Sequence, residues 1–131
     1  MVRLVDSADL EVRVSFHLFG LADAAADEDL PEAGRPNPWL GVGESVLVFE
    51  SEEDLVRARL RIELWDGPAE VGKGQWPDTV ETGWTLPSGV LSLDELTAGA
   101  VPDVFEVPAG KYRMRLGWRA EGAALVQLWP G

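Results

Sequence analysis

Val56-Arg57-Ala58-Arg59-Leu60-Arg61-Ile62-Glu63-Leu64 alternates apolar and charged residues at every step. Successive side chains of a strand point to opposite faces, so this stretch puts its apolar residues on a core and its charges in water. The same period of two recurs where Leu10, Val12, Val14, Phe16 and Leu18 alternate with Glu11, Arg13, Ser15 and His17. It recurs again where Tyr112, Met114, Leu116 and Trp118 alternate with Lys111, Arg113, Arg115 and Arg119. Half-buried strands of this kind belong to antiparallel sheets with one solvated face. The expected fold is all-β, a two-sheet antiparallel β-sandwich.

Working outward, Val46-Leu47-Val48-Phe49 is apolar on both faces and reads as a central strand. Residues 124–129 read as a last strand, and 83–86 and 104–107 as shorter ones. Pro108-Ala109-Gly110 suits a bulged hairpin between 104–107 and 111–119. Glu121-Gly122 suits a tight hairpin into the last strand, and Asp66-Gly67-Pro68 ends the strand at 55–65. Ser92 followed by Glu95, with Gly99 beyond, has the spacing of a capping box and predicts one short helix near 93–98.

The chain has 131 residues, within the range of one domain, and shows no fixed-period repeat, so 1–131 is expected to form a single domain. There is no Cys, which excludes disulfides and thiolate metal sites and fits the cytoplasm. The opening residues 1–6 lack the apolar stretch of a signal peptide, which again suggests a cytoplasmic protein. No apolar run approaches the length of a membrane span. With 23 acids against 11 bases the net charge is −12, which repels phosphate and argues against direct nucleic-acid binding. The same charge suits a basic protein partner.

Eight cations fall on the polar faces of the three clearest strands: Arg13, Arg57, Arg59, Arg61, Lys111, Arg113, Arg115 and Arg119. One reading is a face for an anion; the other is a solvated, cross-paired face that discourages edge association. The acids gather in connections. The long one at 20–38 carries Asp27, Glu28, Asp29 and Glu32, expected contacts for a basic partner. Trp39 and Trp76 lie in or beside the two long connections, 20–38 and 66–80, and are expected aromatic anchors.

Catalytic signatures are missing. His17 is the sole His, too few for a His-based zinc site. Gly43-Glu44-Ser45 is no nucleophile elbow, and Gly72-Lys73-Gly74 is no phosphate-binding loop. The acids at 23–32 lack EF-hand spacing. No cofactor, no metal and no enzymatic activity are expected.

The stretch Leu10-Glu11-Val12-Arg13-Val14-Ser15-Phe16-His17-Leu18-Phe19 resembles the opening strand of the bacterial competence protein J family. Residues 86–93, and 105–118 with Pro108-Ala109-Gly110-Lys111-Tyr112, are similar to that family's last third; 20–80 carry no match. The resemblance implies a small acidic protein that binds and restrains a DNA-entry nuclease, without catalytic residues of its own. The functional expectation is therefore a non-enzymatic acidic protein-binding module, an inhibitor or regulator of a basic nuclease-like partner. The alternative is a β-sandwich module for a small ligand, a carbohydrate or an anion.

Overall fold

A computed structural model of the chain describes residues 2–34, 37–69 and 76–131. Among these residues ten strands form two five-stranded sheets that face each other. They are β1 (Leu4–Arg13), β2 (Leu18–Asp23), β3 (Leu40–Val42), β4 (Val46–Glu50), β5 (Arg57–Trp65), β6 (Asp78–Leu86), β7 (Val90–Asp94), β8 (Ala100–Glu106), β9 (Gly110–Arg119) and β10 (Ala123–Pro130). The first sheet has the order β1-β5-β10-β9-β6 and the second the order β3-β4-β2-β7-β8. The fold is the β-sandwich that the period of two requires. One pair departs from antiparallel order: β10 lies parallel to β5, with Ala124 opposite Leu60 and Leu128 opposite Leu64.

The core fills the space between the sheets. Leu60, Ile62, Met114, Leu116, Val126 and Leu128 come from the first sheet, and Phe19, Leu21, Leu47, Phe49, Leu91 and Leu93 from the second. An aromatic cluster closes one part of it. Phe49 stacks on Phe19 at 5.2 Å, on Trp118 at 5.9 Å and on Trp39 at 6.0 Å between ring centroids. Such rings contribute a large buried area and fix their neighbours' orientation.

Two local expectations are corrected and a third is narrowed. The alternation at 10–18 does not make one strand. β1 ends at Arg13, the chain reverses at Phe16-His17, and β2 opens at Leu18 in the other sheet. Residues 104–107 and 111–119 do not form a hairpin either. β8 pairs with β7 and β9 with β10 and β6, so Pro108-Ala109 carries the chain from one sheet to the other. The short helix is a single 3-10 turn at Leu96–Ala98, because Ser92 already belongs to β7. The Glu95 side chain caps nothing; its carboxylate instead accepts the Arg13 N–H at 2.6 Å.

Both sheets are covered on part of their outer faces by the long connections. Residues 24–34 run over the second sheet, which explains why Val46 and Val48 are buried although they point away from the core. The approach is close enough to demand glycine beneath it. A Cβ on Gly20 would lie 2.8 Å from Leu30 Cδ2, and one on Gly41 would strike the Glu32 carbonyl. On the first sheet, Ala69 and Trp76 lie against the outer face of β9. Ala69 is buried there and its carbonyl accepts the Arg115 guanidinium, while the Trp76 ring lies over Gly117.

Candidate functional site

The strand directions place most charged connections at two opposite ends of the sandwich. One end gathers the β1–β2 turn at 14–17, the β4–β5 connection at 51–56, the approaches to β3 and β6, and the β9–β10 turn. The sequence of the second of these, Ser51-Glu52-Glu53-Asp54, puts three consecutive acids at this end, all exposed. Glu50 from the end of β4 and Asp78 from the start of β6 lie beside them.

Between these elements is a cleft of about 260 Å³, lined by Trp39, Trp118, Glu50, Glu52, Glu53 and Asp78, with Pro38, Pro77 and Ala120 completing it. Its aromatic lining belongs to the core cluster, and its acids belong to the end of β4, the start of β6 and the connection between β4 and β5. An aromatic surface beside carboxylates accommodates a Lys or Arg side chain, through cation–π attraction and charge-assisted hydrogen bonds. Trp39 is only 7% exposed, so most of the ring serves the core.

The β1–β2 turn is fastened to this end. His17 Nδ1 lies 3.0 Å from the carbonyl oxygens of both Ser51 and Glu53, so the ring nitrogen is the donor. The His17 carbonyl in turn accepts the Ser51 N–H at 2.8 Å. Ser51 Oγ closes a local loop by donating to the Glu53 carbonyl. On the other flank Ser15 Oγ donates to the Glu95 carbonyl at 2.8 Å. Phe16, between these anchors, is 77% exposed.

The six residues expected from the sequence do not form one surface. Asp27, Glu28 and Asp29 lie at the far end, where the β3–β4 turn is. Glu28 is engaged there, accepting the Ser45 N–H at 2.7 Å. Glu32 sits on the strap over β3, exposed, with its backbone against Gly41. Trp39 lines the acid-rimmed cleft. Trp76 lies on the outer face of the first sheet with the Arg119 guanidinium over its ring at 4.5 Å. The acids at 52–54, the exposed Phe16 and the cleft were missed. The run of three acids was a visible signal, but period-two counting assigned Phe16 to the core.

The outer face of the first sheet is largely cross-paired. Arg57 meets Glu11 at 2.7 Å, Arg61 meets Asp9 at 2.9 Å and Glu63 at 2.6 Å, and Arg113 and Arg115 share Glu81. Glu63 is buried, which by itself raises its pKa, but donors on Gln127, Arg61 and Trp65 outweigh that and hold its carboxyl below the ordinary range. A shallow groove of about 670 Å³ runs between the arginine row of β5 and Trp76 with Arg119. Among the described residues Arg59 alone of the three β5 arginines makes no ion pair. Among the described residues no group of three His, Asp or Glu is placed to hold a metal ion, and no helix is long and apolar enough to cross a membrane.

No protein-family profile and no curated protein sequence matches the chain. Solved structures do. ComJ from Bacillus subtilis, described as an inhibitor of the DNA-degrading activity of NucA, superposes with a TM-score of 0.71 at 11% identity, over 100% of this chain and 99% of that one. The fold is similar to that of ComJ along its whole length. The resemblance read at residues 10–19, 86–93 and 105–118 thus extends, as a fold, to the middle of the chain as well. The product of crocagin biosynthetic gene J is also similar, with a TM-score of 0.66 at 14% identity over 95% of this chain and 97% of the other.

Proposed function

We propose that the chain is a non-enzymatic protein-binding module that inhibits a DNA-degrading nuclease by direct association. The observation that carries this is the end-to-end likeness to ComJ, whose described role is inhibition of NucA. Physical chemistry supplies a mechanism. A nuclease that holds DNA presents cations to the phosphates. A chain of net charge −12 is steered toward such a surface, and the carboxylates around the Trp39–Trp118 cleft offer those cations an alternative set of acceptors. DNA and inhibitor then compete for one site.

The test is DNA degradation by the DNA-degrading nuclease from the same organism, measured with increasing amounts of this chain. Degradation falling to zero near equimolar protein, with relief at high salt, is the expected result. Full degradation in the presence of a large excess of the chain would exclude the inhibitor reading.

A second reading rests on the groove of the first sheet. Arg59, with Trp76 and Arg119 opposite, forms a site for a small anion or an acidic sugar. Titration with phosphate and with acidic oligosaccharides, followed by Trp fluorescence, decides it: a saturable change that Arg59→Ala abolishes is expected on this reading, and a flat response removes it.

A further inference from the structure

Phe16 occupies a position where its residue type is unfavourable twice over. Ser15 and Leu18 exchange both backbone hydrogen bonds, at 3.1 and 2.9 Å, around a two-residue turn. The two central residues have positive φ, 52° at Phe16 and 69° at His17. Such turns favour Asn-Gly, because a bulky side chain is strained in the left-handed region. The side chain set in this strained position is also 77% exposed. Val56, 76% exposed, lies at the same end, its carbonyl accepting the Val14 N–H. Neither packing nor turn preference accounts for Phe16, and strain of this kind persists where function retains it.

The surroundings identify what would cover it. His17, Ser15 and the 51–53 connection hold the tip rigidly, so docking Phe16 costs little ordering of the chain. Glu52, Glu53 and Asp54 are exposed beside it, and none has an ion pair among the described residues. A second copy of the same end would bring like charges together. A basic surface carrying an apolar cavity would neutralise the three acids and bury the ring.

We infer that Phe16 is the anchor of a protein-docking surface, with Val56 beside it and Glu52, Glu53 and Asp54 as its charged rim, and that the occupant is a cationic protein surface with an apolar cavity. This deepens the inhibitor reading and rests on it: the occupant is the nuclease. The surface adjoins the acid-rimmed cleft, which shares Glu52 and Glu53 with it.

The experiment compares the wild-type chain with Phe16→Asn and with the triple variant Glu52→Gln, Glu53→Gln, Asp54→Asn, measuring affinity for the nuclease at two salt concentrations together with the thermal midpoint. Asn tolerates the left-handed turn, so Phe16→Asn is expected to leave the midpoint unchanged or higher while weakening binding about thirty-fold or more, the loss typical of an interface anchor. The triple variant is expected to weaken binding at low salt and to flatten its salt dependence. Equal affinity of Phe16→Asn and wild type overturns the anchor while leaving the inhibitor reading in place. A lowered midpoint in Phe16→Asn makes Phe16 a structural residue and also overturns it. An unchanged salt dependence in the triple variant removes the charged rim and the cationic occupant with it. A wild-type chain that does not bind the nuclease overturns both readings together.

Discussion

Replacing Asp23 should uncouple the two sheets at the end far from the proposed docking surface. Asp23 ends β2 and is 2% exposed. Its carboxylate accepts the Ala25 N–H at 2.8 Å, the Ser88 hydroxyl at 2.8 Å, the Gly89 N–H at 2.9 Å and the Ser88 N–H at 3.1 Å. The last three belong to the turn between β6 and β7, so one side chain links a strand of the second sheet to the crossover from the first. Hydrogen bonds to a charged group contribute about 1.5–3 kcal/mol each, but they are not additive here, because all of them share one carboxylate that is hydrated in the unfolded chain. Asp23→Ala, which leaves these donors without their acceptor, is therefore expected to cost about 3–4 kcal/mol. Asp23→Asn keeps one acceptor oxygen and is expected to cost about half of that.

The pH dependence carries the same signature. Burial pushes the Asp23 carboxyl up, yet the donors on Ala25, Ser88 and Gly89 outweigh it and leave the folded-state pKa below the ordinary value. A carboxyl depressed in the folded state stabilises it fully above the unfolded value of about 3.9. That contribution disappears as the pH falls through the folded-state value. Urea unfolding followed by Trp fluorescence, from neutral pH down to strongly acidic buffer, should show the wild type losing stability more steeply than Asp23→Asn below about pH 4. Parallel acid limbs for the two proteins, or an Asp23→Ala cost below about 1 kcal/mol, would refute this account of the linkage.

Other outcomes follow from the same contacts. Gly41→Ala should push the strap at 28–34 off the second sheet, costing about 1–3 kcal/mol and exposing the strap to limited proteolysis. Glu63→Ala, which leaves Gln127 and Trp65 without their acceptor inside the covered face of the first sheet, should cost about 2–4 kcal/mol in urea unfolding. Phe49→Ala, at the centre of the aromatic cluster, should cost about 3–5 kcal/mol and weaken nuclease binding indirectly by loosening Trp39 and Trp118.

Much of the architecture was legible because burial in a sandwich repeats at every second residue. Ala58 to Ile62 and Tyr112 to Leu116 follow that rule throughout, and their alternation alone specifies which side faces the core. The rule breaks where a tertiary event intervenes without changing the pattern. Across Val14, Phe16 and Leu18 the alternation continues while the backbone reverses, and no Gly, Asn or Asp marks the turn. Val46 and Val48 look like residues of a strand buried on both faces, and they are, but the cover on one side is a polar connection rather than a third layer. Pro108-Ala109-Gly110 has the chemistry of a hairpin, yet the strands on either side join different sheets, a choice that depends on partners far away in the chain.

The candidate site was less legible for a related reason. Charge in a loop is visible in the sequence, but its position in space depends on which end of the sandwich the loop reaches. The acids at 27–32 and those at 52–54 are similar as text. Only the strand directions separate them, putting the first group partly to structural use at Glu28 and the second beside Phe16 and the Trp39–Trp118 cleft.

The central claim, that this acidic end contacts a nuclease, is tested most directly by amide hydrogen exchange of the chain with and without the nuclease bound. The account predicts new protection concentrated at 14–17 and 50–56, extending to 37–39 and 76–78, with the strap at 24–32 and the arginine row at 57–61 unchanged. Protection confined to 24–32 or to 57–61, with 14–17 and 50–56 exchanging as freely as before, would contradict it.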